Sequence, residues 1–111
     1  MPMVVIGGGR KRFEIVGVSD DDPYIHGFLD ENRDSEPGLQ RFCRTYLRDD
    51  MTVLDIGANV GVTPLILSEH FRRGHVHAVE PGNNTFDALV NNIKNNNVVN
   101  IDCYKYAISN K

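Results

Sequence analysis

Val53-Leu54-Asp55-Ile56-Gly57-Ala58-Asn59-Val60-Gly61, followed by the apolar run Val76–Val79 that stops at Glu80, is the stretch whose reading decides the fold. A short strand-forming run ends in Asp55 and a loop carrying Gly57 and Gly61. The segment Val62–Phe71 then reads as a helix, and Val76–Val79 as a second strand tipped by an acid. Strand, glycine loop, helix, strand and acid, in that order, form the layout of a nucleoside-cofactor site in an open parallel sheet. Glycines let the backbone approach a ligand where a side chain would collide. A carboxylate at the next strand tip can accept hydrogen bonds from both hydroxyls of a ribose.

The loop spells Asp-x-Gly-x-x-x-Gly. It lacks the Gly-x-Gly-x-x-Gly of dinucleotide binders and the Lys-Ser/Thr ending of a phosphate-cradling loop. A cofactor with a ribose and a charged amino-acid tail, but no phosphate, fits better, and S-adenosylmethionine is the common one. Asp55-Ile56-Gly57-Ala58-Asn59-Val60-Gly61, Ala78-Val79-Glu80-Pro81-Gly82, Leu89-Val90-Asn91-Asn92-Ile93 and Ala107-Ile108-Ser109-Asn110-Lys111 together resemble the FkbM-type branch of class I methyltransferases over residues 36–111. The resemblance implies a seven-stranded sheet longer than the three strands read here. The chain is then a fragment, or a truncated product that binds cofactor without catalysis, or half of something a partner completes.

The expected fold is α/β: a partial Rossmann-like methyltransferase sheet of three parallel strands with helices, preceded by an N-terminal β-hairpin and a helix. Residues 1–35 are expected to hold the hairpin and an acidic loop, and 36–111 the cofactor-binding half of a methyltransferase domain. Met3–Ile6 and Phe13–Val18 are the hairpin strands, with Gly7-Gly8-Gly9-Arg10 as the turn. The same glycines mimic a dinucleotide fingerprint, but Arg12 and an extended segment follow where a glycine and a helix belong. Ser19–Ser35 reads as a solvated loop against which Tyr24, His26, Phe28 and Leu29 tuck; its acids lack the alternation of a calcium loop. A helix over Glu36–Arg48 places Leu39, Phe42, Cys43, Tyr46 and Leu47 on one face. Residues 84–96 form the next amphipathic helix, with Asn84 and Asp87 as its capping box, and Asn95-Asn96-Asn97 stops it. Asn100–Tyr106 is the third strand.

The resemblance and this geometry assign Asp55, Gly57, Ala58, Asn59, Gly61, Glu80 and Ala107 to the cofactor. Gly57 and Gly61 pass beneath its methionine and ribose portions. Asp55 bonds loop amides or reaches the ammonium through water, Asn59 fixes the loop, Glu80 holds the ribose and Ala107 frames the adenine. Glu36 either starts its helix or lies near the cofactor tail. Each residue also has a purely structural role open to it, as turn, cap or strand end. The reaction implied is transfer of a methyl group to a hydroxyl of a small molecule, sugar or lipid; a non-catalytic cofactor-binding or interaction module is the alternative. His26, His70, His75 and His77 are the candidate bases, yet no catalytic residue can be named, because related enzymes take the acceptor pocket from later strands. His75-Val76-His77 lacks an evident third ligand, so no metal is expected.

Composition narrows the classes further. The chain has 111 residues, enough for one domain that buries about 65% of its unfolded surface. Its 12 basic and 15 acidic side chains give a net charge of −3 and no basic surface for nucleic acid. No run reaches the roughly 20 apolar residues of a membrane span. Cys43 and Cys103 are a distant pair, expected as reduced thiols of a cytoplasmic protein. In the usual strand order Thr52–Ile56 is left as an apolar edge, to be covered by the hairpin, a second copy in a homodimer or a completing partner.

Overall fold

The computed structural model describes residues 3–7, 11–19 and 36–107. The hairpin turn, the Ser19–Ser35 loop apart from its first residue, and Ile108–Lys111 therefore lie outside the described residues, as do the expectations for Tyr24, His26, Phe28 and Leu29. Strands β1 (Met3–Gly7) and β2 (Arg12–Val16) pair antiparallel, with Ile6 opposite Phe13. Alternation along β2 buries Phe13 and Ile15 and leaves Arg12 and Glu14 outside. Helix α1 (Pro37–Tyr46) follows, with proline in the first turn where its missing N–H costs nothing. Then come β3 (Thr52–Ile56), α2 (Val62–His70), β4 (His75–Val79), α3 (Asn83–Asn95) and β5 (Ile101–Tyr104).

Strands β3, β4 and β5 form a parallel sheet in that order, with Asp55 beside Ala78 and Ala78 beside Cys103. Strand alternation divides its two faces. Val53, Asp55, Val76, Ala78, Ile101 and Cys103 lie on one face, toward the core where Val76 and Ala78 are fully buried. Thr52, Leu54, Ile56, His75, His77, Asp102 and Tyr104 lie on the other. Helix α2 is apolar nearly all round, with Val62 and Pro64–Ser68 all buried. A helix of that kind belongs inside a core. Its last carbonyls, those of Ser68 and Phe71 just beyond, accept from the Asn100 side-chain amide at 3.1 and 3.0 Å.

Helix α3 ends as the asparagine run predicts. Asn97 takes a left-handed φ of 57°, Asn97 N–H donates to the Lys94 carbonyl and Val98 N–H to that of Ile93. That pair of bonds is the Schellman closure, which tolerates asparagine where glycine is commoner. Its start differs from the expected capping box. The helix begins at Asn83 with Gly82 as N-cap, and no side chain caps it.

The hairpin docks on α3 through the side-chain amides of Asn92 and Asn96. Asn92 Oδ1 accepts from Val16 N–H and its Nδ2 donates to the Val16 carbonyl, both at 2.9 Å. Asn96 repeats the pattern on Glu14 at 2.9 and 2.8 Å. Four helical residues rise about 6 Å and two strand residues about 6.8 Å, so the spacings match. Two amides thus stand in for a third hairpin strand and cover the free edge of β2. The hairpin's described strands therefore do not pair with β3, and Leu54 and Ile56, on the outer face of that edge strand, are 60% and 58% exposed.

Helix α1 packs on α2, but only Cys43 is buried, with Leu39 and Leu47 partly so. Phe42 and Tyr46, expected on its buried face, stand exposed with ring centroids 5.1 Å apart. The core contact is narrower than the apolar stripe. No helix among the described residues is long and apolar enough to cross a membrane. Cys43 and Cys103 are both free thiols, and burial raises the pKa of each.

Candidate functional site

The glycine loop bends over the end of β4. Gly57 N–H and Ala58 N–H both donate to the Val79 carbonyl, at 2.9 and 3.0 Å. One acceptor for two successive donors demands a sharp turn, and Gly57 provides it with a φ of 80°. Nothing lies within 4 Å of where a Gly57 side chain would begin, so open space stands over the bend. Gly61 has a different reason. At φ 114° it caps α2, and a side chain there would meet Leu89 at 3.3 Å, so its smallness serves the packing of α2 on α3. Ala58 is buried, while Ala107 is exposed three residues past the end of β5.

Glu80 joins the loop to the next helix. Its Oε1 accepts from Asn59 N–H at 2.8 Å, and its Oε2 accepts from Gly82 N–H at 3.0 Å. Asn59 meets it from a left-handed φ of 54°. Each carboxylate oxygen of Glu80 keeps a second acceptor direction for a further donor. Asn59 thus fixes the loop through its main chain rather than its side-chain amide. Gly57 and Glu80 lie on neighbouring strand tips, as the sequence predicts.

Across the bend lie two more carboxylates. Asp55 Oδ2 is buried with no hydrogen-bond partner. Burial pushes the Asp55 carboxyl up to about 6, and the charge of Glu36 adds to the effect. Glu36 sits at the head of α1 with a left-handed φ of 49°, and Thr63 Oγ1 of α2 donates to its two oxygens at 2.9 and 3.1 Å. Glu36 is therefore both the N-cap position of α1 and a neighbour of Asp55. Two neighbouring acids, one with an unpaired buried oxygen, make an anionic place suited to a cation that brings N–H donors. The sequence marked Asp55 and Glu36 separately. Thr63, which ties the second to α2, gave no signal of its own.

His26 lies outside the described residues, and the other candidate bases are placed elsewhere. His70 Nε2 bonds the Leu47 carbonyl at 3.0 Å, holding α2 to the end of α1. His75 and His77 bond Asp102 and Tyr104 on the opposite sheet face. A cavity of about 740 Å³ between α1 and α2, lined by Lys11, Cys43, Arg44, Glu69 and His70 among others, is also separate from the glycine loop.

No family model matches the chain, and no curated protein matches it. Solved structures do. Coclaurine N-methyltransferase, bound to N-methylheliamine and SAH, aligns at 21% identity and a TM-score of 0.56, over 63% of this chain and 21% of that one. TYW2 of M. jannaschii, in complex with AdoMet, aligns at 16% identity and 0.55, over 92% of this chain and 42% of that one. The fibrillarin/Nop5p complex aligns at 27% identity and 0.50, over 61% of this chain and 33% of that one. The chain thus spans less than half the length of each of these structures. These likenesses and the parallel β3-β4-β5 sheet with its crossover helices show the fold: the chain has the Rossmann-like fold of class I methyltransferases.

Proposed function

We propose that this chain binds S-adenosylmethionine and forms the cofactor-binding part of a methyltransferase of the FkbM type, residues 36–111 making up that part. One observation carries the proposal. The Glu80 carboxylate is bonded to the Asn59 N–H of the glycine loop, so an anionic strand tip stands beside a bare main-chain bend with open space over Gly57. The structural neighbours that hold AdoMet or SAH support the cofactor. In this arrangement Glu80 takes the ribose hydroxyls on its remaining lone pairs and Gly57 gives the cofactor close approach. Asp55, with Glu36 behind it, receives the ammonium of the methionine portion. Ala107 borders the adenine.

Transfer from a sulfonium is an in-line displacement with a good leaving group, so holding acceptor and methyl in line supplies much of the catalysis. The acceptor proposed is a hydroxyl of a small molecule, sugar or lipid. In this reading the described residues hold the cofactor. A second reading, a non-catalytic cofactor-binding or interaction module, is favoured by the exposed Leu54 and Ile56 on the β3 edge.

Calorimetric titration with S-adenosylhomocysteine tests the proposal. Loss of a charge-assisted bond at Glu80 weakens binding about 10- to 150-fold in Glu80→Ala. Equal affinities in the wild type and the variant would remove Glu80 from the site. Absence of binding in both would reject the cofactor assignment.

A further inference from the structure

We propose that His75, His77 and Asp102 form a site for one zinc-class divalent ion on the sheet face away from α2 and α3. The three residues come from adjacent parallel strands, with His77 opposite Asp102 in register and His75 two residues before His77. Alternation puts all three on one face. One ligand atom from each lies within 4.8 Å of the other two. His75 Nε2 is already 2.9 Å from Asp102 Oδ2.

A tetrahedral zinc ion with bonds of 2.0–2.2 Å holds its ligand atoms about 3.3 Å apart. The three side chains project from one face of two adjacent strands, so rotation about their side-chain bonds moves the ligand atoms toward this spacing. The histidine pair is tilted at 49° with centroids 4.8 Å apart, so the two imidazoles already lie side by side. The site also has an outer partner. His77 Nδ1 lies 2.8 Å from the Tyr104 hydroxyl. With Nδ1–H donating to that oxygen, Nε2 is left with its lone pair for a metal. Two imidazoles and a carboxylate suit zinc, and partial exposure of the cluster leaves a fourth position for water.

His-x-His alone carries no sign of Asp102, which is 25 residues away from His77 and is brought alongside only by the β4–β5 register. His75 opens β4, five residues from Glu80, or roughly 16 Å along the strand. The ion therefore pins β4 to β5 and stands apart from the glycine loop, so its presence is independent of the cofactor assignment.

Zinc titration of the full chain against a chromophoric chelator tests the site, with cobalt(II) absorption as the spectroscopic readout. One ion per chain is expected, with a dissociation constant below about 10 μM. Asp102→Asn and His77→Asn should each weaken it at least about tenfold. Asp102 has a 60% exposed side chain, so its replacement leaves the core untouched. Cys103 lies on the opposite face, so Cys103→Ser should bind as the wild type does, and cobalt should show no thiolate charge-transfer band. Absent or weaker binding, binding indifferent to either ligand variant, or binding lost with Cys103 would each overturn the proposal.

Discussion

Replacing Asp55 by asparagine should stabilise the protein while weakening its hold on the cofactor. The Asp55 carboxyl has an unpartnered buried oxygen and is pushed from 3.8 to about 6 by burial first and by Glu36 second. Because the folded value is the higher one, the stabilisation linked to this group is complete below about pH 3.8. It is lost as pH rises through about 6. Two units correspond to about 3 kcal/mol at full ionisation; partial exposure and solvent screening reduce this to about 1–2 kcal/mol at pH 8. Asparagine keeps the shape and removes the charge. For a chain this size the gain raises the melting temperature by about 5–10 °C at pH 8, and by about a third of that at pH 4.5. The same change removes the anion proposed to face the ammonium, so S-adenosylhomocysteine affinity should fall about 10- to 150-fold. Thermal melts at the two pH values, with calorimetry at pH 8, check both halves. A variant less stable than the wild type at pH 8, or equally stabilised at both pH values, would refute the account of Asp55.

The wild type should lose cofactor affinity as pH falls through about 6, since a neutral Asp55 no longer attracts the ammonium; a flat calorimetric profile between pH 5 and 8 would contradict this. Gly57→Ala meets no steric obstacle but must hold a φ of 80°. It should cost about 1–2 kcal/mol in denaturant titration and should also impair cofactor binding by filling the space over the bend. Asn92→Ala leaves Val16 N–H and the carbonyls of Val16 and Val60 without their partner. A loss of about 2–4 kcal/mol in urea unfolding is expected, and the Asn92→Ala, Asn96→Ala double variant should expose the hairpin to limited proteolysis.

What the sequence disclosed follows from the range of each interaction. Val53–Ile56 and Val76–Val79 are legible as strands because a buried strand needs only a short apolar run between turn signals. Gly57 and Glu80 are legible because loop and acid recur at fixed places along a β-α-β unit. Asn84 and Asp87 have the spacing of a capping box, yet α3 starts at Asn83 with Gly82 as N-cap, its N–H taken by Glu80. Phe42 and Tyr46 satisfy helical periodicity, which reports an apolar stripe but not how much of it the core can cover. Asn92, Asn96 and Asp102 make bonds across 27 to 82 residues of chain, and no local pattern announces partners at that distance.

The asparagine clasp between α3 and the hairpin contains no formal charge. Acidity and ionic strength, which govern the carboxylates around the glycine bend, have nothing in it to titrate or screen. The molecule can therefore retune its electrostatic end with the surrounding solution while its mechanical seam stays shut. An engineer could redesign the first without reinforcing the second.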